Sequence, residues 1–141
     1  ESKIDLGVHT KLDIGQEEYC FDISFDNGNV DLLVNSNEQM LVEKLRSLLK
    51  FGALSTRYKD VFDIYYLGQH VDYKKLHVCL DSYIFRDQQM RECEVADVER
   101  RVRNIFSDRL YIERLTASDK NWIGEDVVTI TTGIETFLES L

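Results

Sequence analysis

Proline is absent from this 141-residue sequence, and cysteine and histidine occur three times each. Without proline the chain has no built-in helix breaker, which suits a helix-dominated protein. Cys20, Cys79 and Cys93 are odd in number, widely spaced and form no C-x-x-C pair. This pattern predicts reduced thiols and neither a disulfide framework nor a zinc site. We therefore expect no metal bound by cysteine or histidine.

Long apolar runs and excess positive charge are also missing. No segment approaches the roughly 18 apolar residues that span a bilayer, and the sequence contains no stretch with the pattern of a signal peptide. We therefore expect a cytoplasmic protein without a membrane partner. The formal net charge is −9, from 17 Lys and Arg against 26 Asp and Glu. That sign argues against nonspecific DNA binding, yet it permits a local basic pocket for one nucleotide or one RNA end.

The hydropathy pattern changes near residue 36. Apolar and polar residues alternate in 3–9 and 19–25, and Asn27–Gly28 is a good hairpin signal. From Ser36 onward the apolar period is helical. The sequence thus predicts an α+β fold. Residues 1–35 form a short antiparallel β segment, the tail of a larger sheet, and residues 36–141 form a bundle of about five α-helices.

Capping residues place the first helices. Ser36 with Gln39 three residues later makes a capping box, which predicts a helix over residues 37–50. A second helix is expected from about residue 57 to Leu67, and Asp72 is expected to cap a third. Downstream, alternating charges predict a solvated, salt-bridged helix face formed by Glu92, Glu94, Asp97, Glu99, Arg100, Arg101 and Arg103. Trp122 is expected to anchor a polar loop on the bundle.

Lys44 occupies an unusual place in the first helix. At about 100° per residue it falls inside the apolar arc, between Met40 and Leu48. An ammonium group there must extend to solvent or meet an anion. From the sequence alone, methionine at this position would suit the arc as well as lysine or better.

An R-x-K-D-x-x-D pattern begins the second helix. In a functional interpretation, Lys44, Arg57 and Lys59 contact a polyphosphate while a carboxylate, Asp60 or its rival Asp63, positions or deprotonates a hydroxyl. In the structural alternative, the carboxylates cap or salt-bridge the helix start and Lys44 extends to solvent. Residue types alone favour the structural alternative, because structural ion pairs are commoner than sites.

Two motifs in order point to a family. L-V-E-K-L-R-S-L-L at residues 41–49, followed by S-T-R-Y-K-D-V-F-D-I-Y-Y-L at residues 55–67, resembles the A-E-K-L and R-x-K-D-x-Y-D-L motifs of AbiEii-type abortive-infection toxins. These are nucleotidyltransferase-like proteins of bacterial toxin–antitoxin systems. I-D-L-G at residues 4–7 resembles the family's D-I-G strand, and residues 122–138 resemble its last helix. Val42 and Phe62 replace the usual Ala and Tyr.

The resemblance implies transfer of a nucleotide from an NTP, with Mg²⁺, to an acceptor hydroxyl, RNA being a candidate acceptor. It also implies an antitoxin partner. Lys44 would bind phosphate, and Asp60 would act in catalysis or orient Lys44. Arg57 and Lys59 would contact phosphate. The supporting residues would be Asp63, Glu43 and Asp5, the last being either metal-facing or the solvent side of an edge strand.

The family's G-S or G-G-T loop and its D-x-D strand, which hold triphosphate and metal in such transferases, have no counterpart in the motifs above. The chain therefore resembles the C-terminal portion of such a protein, and by itself it is expected to be inactive. The alternative, from another class, is a non-catalytic helical interaction module that docks a protein partner.

Overall fold

The computed structural model describes residues 17–23 and 28–141, with side chains from Val34 onward. The chain divides into two units, Glu1–Val34 and Asn35–Leu141. In the first unit, strand β1 (Glu17–Ile23) pairs antiparallel with strand β2 (Gly28–Val34). Asp5 lies outside the described residues. The assignment of residues 1–35 to the tail of a nucleotidyltransferase-like sheet stays a prediction.

The second unit consists of helices. Their bounds are α1 Asn37–Phe51, α2 Tyr58–Gly68, α3 Tyr73–Leu80, α4 Val95–Phe106, α5 Arg109–Ala117 and α6 Val127–Glu139. A 3₁₀ turn at Gly52–Leu54 joins α1 to α2, and a π-helical turn at Asp81–Phe85 extends α3.

The predicted α+β fold class is wrong for this folded body. The part of the chain described with side chains is 70% helix, and the second unit, Asn35–Leu141, forms six helices and contains no strand. The helices bury their apolar faces against one another, so the core needs no sheet layer. The sixth helix arises because α5 is separate from α4: Asp108 accepts the backbone N–H of Tyr111 at 2.8 Å and starts a new helix.

Local caps lie where the sequence predicts them. The backbone N–H of Gln39 donates to Ser36 Oγ at 3.2 Å, which confirms the start of α1. Asp72 Oδ1 accepts the backbone N–H groups of Lys74 and Lys75 at 2.9 and 3.0 Å, which confirms the cap of α3. Gly52, with φ of 57°, closes α1 in a conformation that favours glycine.

Helix α1 lies at the centre of the bundle and packs against α2, α3 and α4. Its apolar arc is buried, and Leu41, Val42 and Leu45 are 0% exposed. Phe62 and Ile64 of α2 are equally buried, and α2 packs against both α1 and α6. Among the described residues, no helix has the length and apolarity needed to cross a bilayer.

Candidate functional site

Lys44 reaches both carboxylates of α2. Its Nζ lies 3.2 Å from Asp60 Oδ1 and 2.8 Å from Asp63 Oδ2. The side chain of Lys44 is only 25% exposed, so its ammonium meets anions and does not extend freely into solvent. The predicted convergence of Lys44 and Asp60 is therefore confirmed. The sequence motif ranked Asp60 first, whereas Asp63 makes the shorter contact.

The register of α2 explains why one lysine serves two acids. Asp60 and Asp63 are one turn apart and face the same side of the helix. Both are buried against α1, at 6% and 8% exposure. Two buried carboxylates in such proximity repel each other unless a cation compensates them. Lys44 supplies that cation from the neighbouring helix.

Arg57 and Lys59 flank the acids from the solvent side. Arg57 Nε lies 2.7 Å from Asp60 Oδ2, and Lys59 Nζ lies 3.4 Å from Asp63 Oδ2. Both cationic side chains are well exposed, at 63% and 65%. The Arg57 contact is an ion pair without hydrogen-bond alignment, since the buried Asp60 Oδ2 has no hydrogen-bond partner among the described residues. We call Lys44, Arg57, Lys59, Asp60 and Asp63 the Lys44 cluster.

Trp122 is a member of the site that the sequence did not reveal. Its indole Nε1 donates to Asp63 Oδ1 at 2.9 Å, and its ring centroid lies 5.2 Å from that of Tyr66. The expected loop anchor is thus a hydrogen bond to a cluster carboxylate. No spacing rule links residues 59 apart. The sequence feature that could have pointed to this contact is the position of Trp122, the single tryptophan of the chain, in a polar loop.

Lys44 and Asp63 stabilise each other in the charged state. Burial alone lowers the pKa of Lys44, but hydrogen bonds and charges from Asp63 and Asp60 outweigh burial and raise the pKa above the ordinary lysine value. Burial likewise raises the pKa of Asp63, but Lys44, Trp122 and Lys59 outweigh it, so this pKa is lowered. Lys44 is therefore a fixed cation at neutral pH and Asp63 a fixed anion, and neither is suited to exchange a proton.

Tyr111 is buried next to the cluster. It is 1% exposed, and its ring centroid lies 5.9 Å from that of Tyr58. Burial, with the nearby Tyr58 and Asp60, raises its pKa far above the ordinary tyrosine value. Its hydroxyl has no hydrogen-bond partner among the described residues. The sequence did not single out this residue.

Glu43 does not join the cluster. It accepts a hydrogen bond from Gln39 Nε2 at 3.1 Å, one turn earlier on its own helix. Asp5, the other proposed supporting residue on the N-terminal side, lies outside the described residues.

The described residues do not fit Mg²⁺. No three His, Cys, Asp or Glu side chains in the described part of the chain are placed to hold a metal ion. Mg²⁺ prefers an octahedral set of oxygen ligands, whereas Asp60 and Asp63 hold the Lys44 ammonium between them. A divalent cation would have to displace that lysine.

Comparison with known protein families matches residues 2–139 to the family described as "Nucleotidyl transferase AbiEii toxin, Type IV TA system". The match covers nearly the whole chain and includes both helices of the cluster. Comparisons with curated proteins and with solved structures give no match.

Proposed function

Because the chain belongs to the AbiEii family of nucleotidyl transferase toxins from type IV toxin–antitoxin systems, we propose that it acts in transfer of a nucleotide from an NTP to an acceptor hydroxyl. The family membership confirms the resemblance found in the sequence. A toxin–antitoxin family implies an antitoxin as partner. In this proposal the Lys44 cluster binds the triphosphate.

One observation carries the proposal: a half-buried cation, Lys44, with two exposed cations beside it, in a protein whose net charge is −9. The three cations outnumber the two carboxylates, so the cluster is locally positive. Phosphoryl and nucleotidyl transfer depend mainly on positioning and on stabilising phosphate charge. A lysine that stays charged and is held by two carboxylates meets that requirement.

The different exposed fractions of Lys44, Arg57 and Lys59 suggest that the three cations have different roles. Arg57 and Lys59 are the cations that an incoming phosphate reaches first. Lys44 lies deeper and adds charge from below, with one of its three N–H donors left after Asp60 and Asp63. The two acids orient Lys44. Asp60 Oδ2 is buried, which supports this orienting role over direct deprotonation of a hydroxyl. The roles proposed for these residues do not require contact with Mg²⁺.

Binding of a fluorescent mant-GTP or mant-ATP to the full chain tests the proposal without requiring turnover. We expect Arg57→Gln/Lys59→Gln to weaken binding by about tenfold or more, corresponding to about 1.4 kcal/mol. Arg86→Gln/Lys120→Gln is the matched control, since it removes the same charge from exposed residues elsewhere. Equal affinities for both double variants, with melting curves that show folded protein, would overturn the proposal.

An interaction module remains the alternative because of two exposed apolar residues. Phe51 and Leu54, at 53% and 85% exposure, lie at the connection between α1 and α2. If binding the antitoxin is the only role of this surface, Phe51→Ser/Leu54→Ser abolishes that complex while nucleotide binding is undetectable in every variant. Nucleotide binding that depends on Arg57 and Lys59 would instead support the nucleotidyltransferase function.

A further inference from the structure

A second cationic surface lies on the other side of the α1–α2 turn. Lys50 at the end of α1, Arg91 before α4 and Arg101 on α4 line a cavity of about 210 Å³. An adjoining cavity of about 200 Å³ is lined by the same Arg91 and Arg101 and also by Arg100. We call the two adjoining cavities the Arg91–Arg101 groove.

Among the described residues the three defining cations of the groove form no ion pair, although Glu92 lines both cavities, Asp97 lines one of them, and the charge of Lys50 acts on Asp87. Within the described part of the chain, no carboxylate lies within 4 Å of Lys50, Arg91 or Arg101, in contrast to the ion pairs of their neighbours. Arg100 pairs with Asp97 at 2.5 Å, and Arg103 pairs with Glu99 at 2.9 Å. The predicted salt-bridged face of α4 therefore omits Arg101.

The guanidinium of Arg101 lies beside the end of α1 at Gly52. Its Nη2 would lie 3.2 Å from a Cβ atom at residue 52, so Gly52 leaves the room that this guanidinium occupies. Gly52 closes α1, where the helix presents unpaired carbonyl groups and partial negative charge. The guanidinium therefore lies next to a helix end whose partial negative charge attracts a cation.

The segment around Arg91 is also ordered by the protein itself. The backbone N–H of Arg91 donates to Glu92 Oε2 at 3.2 Å, and Glu92 is 8% exposed. Arg91 is exposed and lines both cavities together with Glu92.

We propose that the Arg91–Arg101 groove binds successive phosphodiester groups of a single-stranded RNA. Guanidinium groups match phosphate oxygens in a bidentate manner, and unpaired ones give up no existing ion pair. The two adjoining cavities share both arginines, which suits a ligand with repeated anionic groups. The anion-binding site is inferred from the residues of the groove alone. That the bound RNA is the acceptor of the transferred nucleotide rests on the proposed function.

The neighbourhood of the groove favours RNA over an acidic protein segment. Phe51 follows Lys50 directly and is 53% exposed, which offers a ring on which a base can stack. Phe51, Leu54 and Arg57 line a separate cavity of about 270 Å³, and Arg57 belongs to the Lys44 cluster. Lys50 is six residues from Lys44, or about 9 Å of helical rise. The two lysines also lie about 120° apart around α1, so a strand in the groove would have to pass around this helix to reach the proposed phosphate site.

Fluorescence anisotropy of the full chain with a fluorescein-labelled 12-nucleotide oligouridine tests the groove, at 50 to 200 mM NaCl. We expect Arg91→Gln/Arg101→Gln to lose at least tenfold in affinity, and the slope of log affinity against log salt to become shallower by about 1.4, for two lost phosphate contacts. Arg86→Gln/Arg109→Gln, which removes two carboxylate-paired arginines, should stay within about threefold of the parent at 100 mM NaCl.

Three results would overturn the inference: no binding by the parent protein, equal losses in the two double variants, or preferential groove-dependent binding of a labelled polyglutamate of the same length. The last would assign the groove to an acidic protein partner. The mant-nucleotide measurement separates the two proposals. If RNA binding depends on Arg91 and Arg101 while mant-nucleotide binding is absent, RNA binding by the groove is supported and the proposed nucleotide transfer is refuted.

Discussion

Trp122 donates its indole N–H to Asp63 at 2.9 Å, which joins the loop before α6 to the Lys44 cluster. Asp63 also accepts from Lys44 and Lys59, so three donors from three parts of the chain hold one carboxylate. This convergence keeps Asp63 ionised and aims it at Lys44. The orientation of Lys44 therefore depends in part on a residue outside the α1–α2 pair.

Trp122→Phe should raise the pKa of Asp63 toward its ordinary value, because one donor to the carboxylate is lost while the aromatic ring remains beside Tyr66. Carbon-detected NMR titration of the aspartate carboxyls measures this shift. Tyr66→Phe is the control, since the tyrosine hydroxyl makes no contact with Asp63 in the described structure. An unchanged Asp63 titration in Trp122→Phe would contradict the assigned hydrogen bond.

Lys44→Met should destabilise the protein by about 2 kcal/mol, although the apolar arc of α1 predicts the opposite from the sequence. The reason is that Asp60 and Asp63 lose the cation that compensates them. Urea unfolding at pH 7 measures the change, with Lys120→Met as an exposed control. Adding Asp60→Asn and Asp63→Asn to Lys44→Met should recover part of the loss. A Lys44→Met protein as stable as the parent would refute this account.

Acid should destabilise the parent more steeply than Asp63→Asn. The folded pKa of Asp63 is lowered, so its contribution to stability is complete above the unfolded pKa of about 3.9 and is lost as pH falls through the folded value. Unfolding free energies from pH 7 to pH 2.5 should differ in slope by at most about 1.4 kcal/mol per pH unit below pH 4. Parallel curves for the two proteins would show that Asp63 is not held ionised by folding.

Tyr111→Phe should leave stability unchanged or raise it by about 1 kcal/mol, because it removes a buried hydroxyl without a hydrogen-bond partner. Thermal and urea unfolding measure this effect. Ultraviolet titration gives a second readout, since burial raises the pKa of Tyr111 and its phenol should not ionise before the protein unfolds in base. A loss above about 1 kcal/mol would mean that the hydroxyl has a partner, such as an ordered water.

Gly133→Ala should destabilise the protein, although glycine to alanine inside a helix ordinarily stabilises by about 0.5–1 kcal/mol. A Cβ atom at residue 133 would lie 2.5 Å from Cε2 of Tyr65, whose hydroxyl is tied to Glu125 by a 3.0 Å hydrogen bond. Thr132→Ala, at an exposed neighbouring position, is the control for helix propensity. If Gly133→Ala instead stabilises α6, the close contact with Tyr65 is not present.

The sequence was sufficient for features that depend on neighbours within one helical turn. The caps at Ser36 and Asp72 follow from side chains that reach backbone groups two or three residues away. The anomalous position of Lys44 follows from the helical period alone. The two motifs around it also carry the family, because their order along the chain is itself sequence information.

The tertiary structure decided which distant groups meet. Periodicity shows that Lys44 needs an anion, but the packing of α1 on α2 selects both Asp60 and Asp63, and Trp122 comes from 59 residues beyond Asp63. On α4, Arg100 and Arg103 find carboxylates while Arg101 meets the end of α1 at Gly52. The charge pattern of the sequence treats these arginines alike. Only helix packing separates them, because an ion pair depends on distances of a few ångströms that local spacing does not specify.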